Sequence, residues 1–405
     1  MKSITITFLL IFVILQTSIG QWEEQSIAVN ANFNSVHFFN NEIGFVVGGD
    51  KIYKTTDGGE NWETSYTTTG AVFFNDVKVL DENTVIVVGK KFITDESIIV
   101  KTIDSGTNWV ITDISSSAYL HSIFFISPTV GFCAGGNGAI FKTSDSGDSW
   151  QSLVSGTSLN LQSIFFINEL TGIAVGGGID QAVILKTVDG GENWSTVASP
   201  ANDYLQSIYF MNEQTGYVVG WDGQILKTND CGSTWTEQTS VDMVGNLDVF
   251  FTDENTGYVA GGLTFQSLIQ KTVDGGDSWQ DISPNFSVGF TSIYFPSFDV
   301  GYVVGAQGTI AKTESGGIMT STSNLYSNKD ILLYPNPASN SVTIESNKNG
   351  PIILIEIYNS NGQLIKVKEE NSKNVNLDLS EFQSGIYYIG LNTESQKSIK
   401  KLVKR

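Results

Sequence analysis

The sequence predicts an all-β protein: a seven-bladed β-propeller closed by an N-terminal strand, followed by a small C-terminal β-sandwich. Three observations predict it. A nine-residue phrase recurs along the chain. Each copy sits inside a unit of four short strands. The first tryptophan of the expected mature chain stands in the register of the phrase's last residue, although no phrase precedes it.

The phrase reads KTTDGGENW at 54–62, KTIDSGTNW at 101–109, KTSDSGDSW at 142–150, KTVDGGENW at 186–194, KTNDCGSTW at 227–235 and KTVDGGDSW at 271–279, with a worn copy, KTESGGIMT, at 312–320. Its lysines are spaced by 47, 41, 44, 41, 44 and 41 residues. Periods near 40–45 point to propellers or solenoids. Residues 207–240 show the unit: the runs SIYFM, YVVG, ILKT and WTEQTS are separated by turns rich in Asn, Asp and Gly. Short β-branched and aromatic runs without helical period make four antiparallel strands, the blade of a propeller.

Closure follows from register. Trp109, Trp150, Trp194, Trp235 and Trp279 each precede an innermost-strand residue (Ser122, Ser163, Ser207, Asp248, Ser292) by 13, and Trp62 precedes Asp76 by 14. Trp22 precedes Ser35 by 13, without a phrase of its own, while the seventh unit has Thr320 where tryptophan is expected. The N-terminal strand is therefore expected to complete the seventh unit. Closure by pairing removes the sheet edges an all-β repeat otherwise exposes.

Within the phrase, Asp57, Asp104, Asp145, Asp189, Asp230 and Asp274 open a hairpin connection between third and fourth strands. An aspartate there accepts hydrogen bonds from backbone N–H groups two or three residues on. The glycines supply positive φ. Trp62, Trp109, Trp150, Trp194, Trp235 and Trp279 then lie over the hairpin, each burial contributing roughly 1.5–3 kcal/mol. These residues resemble the Asp-box of bacterial neuraminidase repeats, as used in the photosystem II assembly-factor family of β-propellers, over residues 21–320. The resemblance implies a structural box on the rim away from the ligand site. It does not carry sialidase activity across, because such enzymes clamp a carboxylate with several arginines and the only arginine here is Arg405. The arginine-bearing surface of the assembly factors is missing for the same reason.

A ligand is expected at the end of the ring opposite the boxes, where the turns between second and third strands meet the approach to each first strand. Units 2, 4 and 6 carry the longer turns there, KKFITDESII, GGIDQAV and GLTFQSL. Loops on a rigid scaffold are where binding concentrates. Asp76, His121, Trp221, Asp222 and Asp248 are the candidate binding residues, with His121 expected to be exposed. His37 reads as a packing residue. No catalytic residue, metal site or cofactor motif is found.

The chain has 405 residues with net charge −20. Residues 21–324 hold 11 lysines against 34 acids, a net of −23, which excludes nucleic acid as a partner. The leader MKSITITFLLIFVILQTSIG reads as a secretory signal peptide over 1–20. No later stretch reaches the ~20 apolar residues of a transmembrane helix. Cys133 and Cys231 read as isolated thiols.

A polar linker at 321–330 leads to ILLYPNPASNSVTIES, PIILIEIYNSNGQLIK, VNLDLSEFQSGIYYIGL and QKSIKKLVKR, which read as a β-sandwich over 331–405. In this order they resemble the type IX (Por) secretion C-terminal sorting domain, type A. Tyr334, Pro335, Asn336 and Pro337 match its opening motif. Gly362 matches the central turn, Gly385 the SGIY motif, and Lys397, Lys400, Lys401 and Lys404 the basic last strand. The resemblance implies export through the type IX translocon and removal by a sortase-like peptidase, leaving the ring secreted or on the cell surface. The expected function is a non-catalytic binding or adhesion module for a surface protein or glycan. The alternatives are a secreted glycoside hydrolase using ring carboxylates, and a scaffold of a surface assembly.

Overall fold

Second strands such as Gly216–Gly220 and Gly301–Gly305 (both GYVVG) are buried along their whole length. A run that is apolar on both faces fits a sheet covered on both faces. Fourth strands such as Thr236–Gln238 are mostly exposed and polar. Each unit thus grades from a packed interior to a wet edge. The computed structural model describes residues 22–317 and 331–405, save for 26, 28, 30, 69, 95, 113, 115–117, 241–243, 264, 285, 347–350, 360–363 and 394–396. The expected signal peptide, linker, Thr320 and Gly362 lie outside the described residues.

The described chain divides into two compact units, 22–317 and 331–405. In the first, six four-stranded antiparallel meanders occupy 35–67, 72–112, 120–153, 160–197, 205–238 and 246–281. A seventh four-stranded sheet takes three strands from 290–313 and its edge from Glu23–Glu24. That edge pairs Glu23 with Lys312 and Glu24 with Ala311. First strands of successive sheets touch in order, and the seventh touches the first. Between each two neighbouring sheets lies one hydrophobic cluster. The cluster joining seventh to first holds Tyr302, Val304 and Ile310 against Phe33, Val36, Phe38 and Val46. Burial of such clusters is the main stabilising term, at roughly 25 cal/mol per Å² of apolar surface.

The second unit has a three-stranded sheet (Ile331–Tyr334, Ser341–Ser346, Asn374–Asp378) and a four-stranded sheet in the order Leu364–Ser372, Ile352–Asn359, Gly385–Thr393, Lys397–Lys404. Val342, Ile344, Val375 and Leu377 of the first share one core with Ile355, Ile357, Ile389, Leu391 and Leu402 of the second.

Candidate functional site

The recurring phrase folds as a hairpin lock. In the fourth sheet, Asp189 Oδ1 accepts the Asn193 N–H at 2.9 Å and Asp189 Oδ2 accepts Asn193 Nδ2 at 2.8 Å. The backbone donor stands four residues on, not two or three, because two consecutive left-handed residues, Gly190 (φ 74°) and Gly191 (φ 91°), lengthen the turn. These bonds, the side-chain one foremost, hold Asp189 down to about 2, and the partners Ser149 and Thr234 do the same for Asp145 and Asp230.

Two residues of the phrase have roles that sequence reasoning did not assign. Its threonine is buried in every copy. Thr187 Oγ1 donates to Asp189 Oδ1 at 2.8 Å and accepts the Gly191 N–H at 3.0 Å. Its lysine reaches the next box: Lys54 donates to the Ser105 carbonyl, Lys142 to Gly190, Lys186 to Cys231, Lys227 to Gly275 and Lys271 to Gly316, at 2.7–2.9 Å. Lys101 pairs with Asp148 at 2.7 Å. The first six sheets therefore each grip the box of their successor, whereas Lys312 of the seventh pairs with Glu314 of its own copy at 2.8 Å.

At the worn seventh copy, Trp22 supplies the missing indole. It is buried against Phe295, with ring centroids 6.1 Å apart. A methyl placed on Gly317 would lie 3.0 Å from Trp22 Nε1, much as one on Gly59 would lie 3.5 Å from Trp62 Nε1.

Asp76 and Asp248 lie on first strands and bind backbone and serines of neighbouring sheets. Asp76 Oδ1 accepts Ser35 Oγ at 2.7 Å from the first sheet, and Oδ2 accepts the Ile123 N–H at 2.9 Å from the third. Asp248 repeats the pattern, with Ser207 Oγ at 2.8 Å and the Ile293 N–H at 2.9 Å. Burial pushes Asp76 up to about 6 against those hydrogen bonds, and nearby Asp248 adds to the push. Burial raises Asp248 too.

Two residues along each first strand, a girdle runs round the ring. His37 packs on Tyr294 at 4.3 Å between centroids, Tyr294 on Phe250 and Phe250 on Tyr209 at 5.2 Å, Tyr209 on Phe165 at 5.7 Å, and Phe165 on Phe124 at 4.7 Å. Lys78 Nζ, 5.9 Å from the Phe124 ring, completes it. Burial, then Lys78, holds His37 well below the usual imidazole range.

Among the described residues, the other candidates make no hydrogen bond to Asp76 or Asp248. Trp221 and Asp222 lie in the tight hairpin turn after the second strand of the fifth sheet, where Asp222 (φ 55°) and Gly223 (φ 72°) are both left-handed and Trp221 is half-exposed. His121 falls at a register shift between Leu120 and Ser122. It is not exposed as expected: its Nε2 is shut off from solvent without a hydrogen-bond partner, and burial, then Lys90, holds the ring at about 4. The cause is local packing, since the bulge turns the ring edge-on to Tyr119 at 6.3 Å.

Opposite the boxes, the hairpins between second and third strands of the second, fourth and sixth sheets end in exposed apolar side chains. These are Phe92 and Ile93, then Ile179, then Leu263 and Phe265. Ile93 and Ile179 are both 83% exposed.

In the second unit, Tyr334–Pro335 and Asn336–Pro337 are cis peptide bonds. They carry the chain across the terminal strand, where Asn336 Oδ1 accepts the Val403 N–H at 2.9 Å. The Ala338 N–H donates to the Val403 carbonyl at 2.8 Å. Gly385 pairs with Lys404, Tyr388 with Lys401, Ile389 with Lys400 and Asn392 with Lys397.

Comparison with known proteins matches both units. Residues 332–405 match the secretion system C-terminal sorting domain, which implies export through the type IX machinery to the cell surface or beyond. Beta-agarase A of Zobellia galactanivorans is 42% identical over 69 residues, which is 16% of this chain and 12% of that protein. Among solved structures, YCF48 bound to D1 peptide is 22% identical with a TM-score of 0.60, covering 73% of this chain and 95% of its own. YCF48 from Cyanidioschyzon merolae is 20% identical with a TM-score of 0.58, covering 73% and 98%. The WD40 β-propeller domain of Doa1 is 12% identical with a TM-score of 0.60, covering 72% and 96%. These likenesses establish an all-β propeller fold. Overlapping matches over 14–158, 104–201 and 191–283 span more than half of the sequence, and the chain belongs to the family of photosynthesis system II assembly factor YCF48.

Proposed function

We propose that the chain is a secreted or surface-bound, seven-bladed propeller acting as a non-catalytic binding or adhesion module. Residues 1–20 are its signal peptide, 21–320 the ring, 321–330 a linker and 331–405 a sorting β-sandwich removed by a sortase-like peptidase. Pairing of Glu23–Glu24 with Ile310–Thr313 supports closure of the ring by its N-terminal strand. The observation that carries the binding role is the apolar side chains exposed on three alternate hairpin tips, all at the end away from the boxes. Loop tips carried on a rigid scaffold are where binding concentrates. Asp76 and Asp248 serve the scaffold under that surface, and Trp221 and Asp222 belong to its rim.

The test is an array of glycans and cell-surface proteins probed with the full chain and with an Ile93→Ser, Ile179→Ser, Phe265→Ser variant, with hydrolysis assayed alongside. At least one ligand should bind the wild type without being cleaved, and be lost in the variant at unchanged melting temperature. A blank array, a ligand the variant holds equally well, or turnover of a glycan would overturn the reading.

A further inference from the structure

Lys90 stands at the corner between the second and third sheets in an unusual setting. Its Nζ lies 4.1 Å from the Tyr119 ring centroid and 5.2 Å from that of Phe92. Phe92 is 57% exposed and meets the half-exposed Phe73 at 5.7 Å. Behind Tyr119 the His121 ring is neutral at pH 7, so it adds no second charge. The ring unit is strongly acidic, and neighbouring lysines find carboxylates: Lys91 pairs with Glu96 at 3.5 Å and Lys101 with Asp148 at 2.7 Å. Among the described residues no carboxylate meets Lys90. Its ammonium is held against two aromatic faces, which attract a cation but take none of its hydrogen bonds.

We propose that this corner is a subsite for an acidic saccharide, with Lys90 donating to a carboxylate or sulfate oxygen while Phe92 and Phe73 lie against the C–H faces of the sugar. The assignment rests on the binding-module reading and names its ligand class. One compact cation recognises one localised anion. Exposed flat rings beside it suit a ligand with apolar faces and a polar perimeter, which a charged pyranose has. A nucleic acid or anionic membrane brings a dense array of charge that the acidic ring repels. A pyranose carrying a single acid group meets Lys90 first.

Calorimetry on the full chain tests this with three probes: a galactan hexasaccharide bearing one terminal galacturonate, the same hexasaccharide bearing one sulfate, and the unsubstituted galactan hexasaccharide. At least one acidic probe should bind, with affinity falling as salt rises. Lys90→Gln should weaken it roughly 10- to 100-fold, and Lys90→Arg should restore most of it. Phe92→Ala should weaken the acidic probe as well, and the neutral galactan should be indifferent to Lys90→Gln. Equal affinity of the wild type and Lys90→Gln for both acidic probes overturns the proposal. So does failure of both to bind at millimolar concentration. If the acidic probes fail while the array retains a ligand that the hairpin-tip variant loses, this subsite alone falls. A blank array removes the binding-module reading with it.

Discussion

The Tyr302 hydroxyl donates a 2.7 Å hydrogen bond to the carbonyl of Gly58, a residue 244 positions earlier in the chain. The bond joins the seventh sheet to the box of the first. Tyr258 makes the same bond to Gly316, at 2.9 Å, between the sixth and seventh. Tyr302 is fully buried, and burial, ahead of the acids nearby, keeps its hydroxyl protonated well above the usual tyrosine range.

Tyr302→Phe should therefore cost about 1–3 kcal/mol, the penalty for stranding a buried acceptor. The measurement is urea unfolding of the full chain, compared with Tyr209→Phe, whose hydroxyl bonds Phe251 O at 3.0 Å between interior sheets. A loss confined to Tyr209→Phe would contradict the joint.

Trp22→Ala should cost about 3–5 kcal/mol, as for other buried aromatic truncations. It should also free the edge of the seventh sheet, so dimers or larger species should appear on size-exclusion chromatography. A monomer with unchanged melting temperature would count against the role given to Trp22.

Acid should act on Asp76 in a direction opposite to that usual for carboxylates. Its folded value is raised to about 6. The stability it contributes is full below the unfolded value near 3.9 and is lost as pH rises through about 6. His37 and His121, both lowered, work the other way: their contribution is present above about 6.5 and falls as pH drops. The wild type alone thus shows partial cancellation. Relative to Asp76→Asn, its melting temperature should rise between pH 7.5 and pH 5, and a gap independent of pH would refute the assignment.

In the sorting unit, Asn336→Ala should speed hydrogen exchange at the Val403 amide roughly threefold to tenfold, the effect of about 1 kcal/mol. Amides in the middle of the same strand should be unaffected.

How much of this was legible depended on range. The register of Trp22 was readable because a spacing of 13 residues is written in the chain. The hairpin was readable because Asp, Gly and Trp each carry a local geometric meaning. The lysine of the phrase was not, because its partner lies 45 or more residues on and becomes a neighbour only once sheets stand side by side. Asp76 and Asp248 stood out as acids among serines and read as binding candidates, because their partners in two other sheets were invisible. His121 read as exposed because it looked like a residue ahead of the strand, whereas it lies at a bulge, half-buried, with its Nε2 shut off from solvent.

The pairing of Glu23–Glu24 with Ile310–Thr313 also sets an order of events. The earliest strand made waits for nearly the latest part of the ring, and the sorting segment at 332–405 follows directly after. A chain broken off before Ile310 lacks both the partner for its first strand and its address. The last strands of the seventh sheet and the sorting segment thus lie toward the same end of the polypeptide, so a truncated chain keeps its expected N-terminal leader but lacks the segment that implies passage through the type IX machinery.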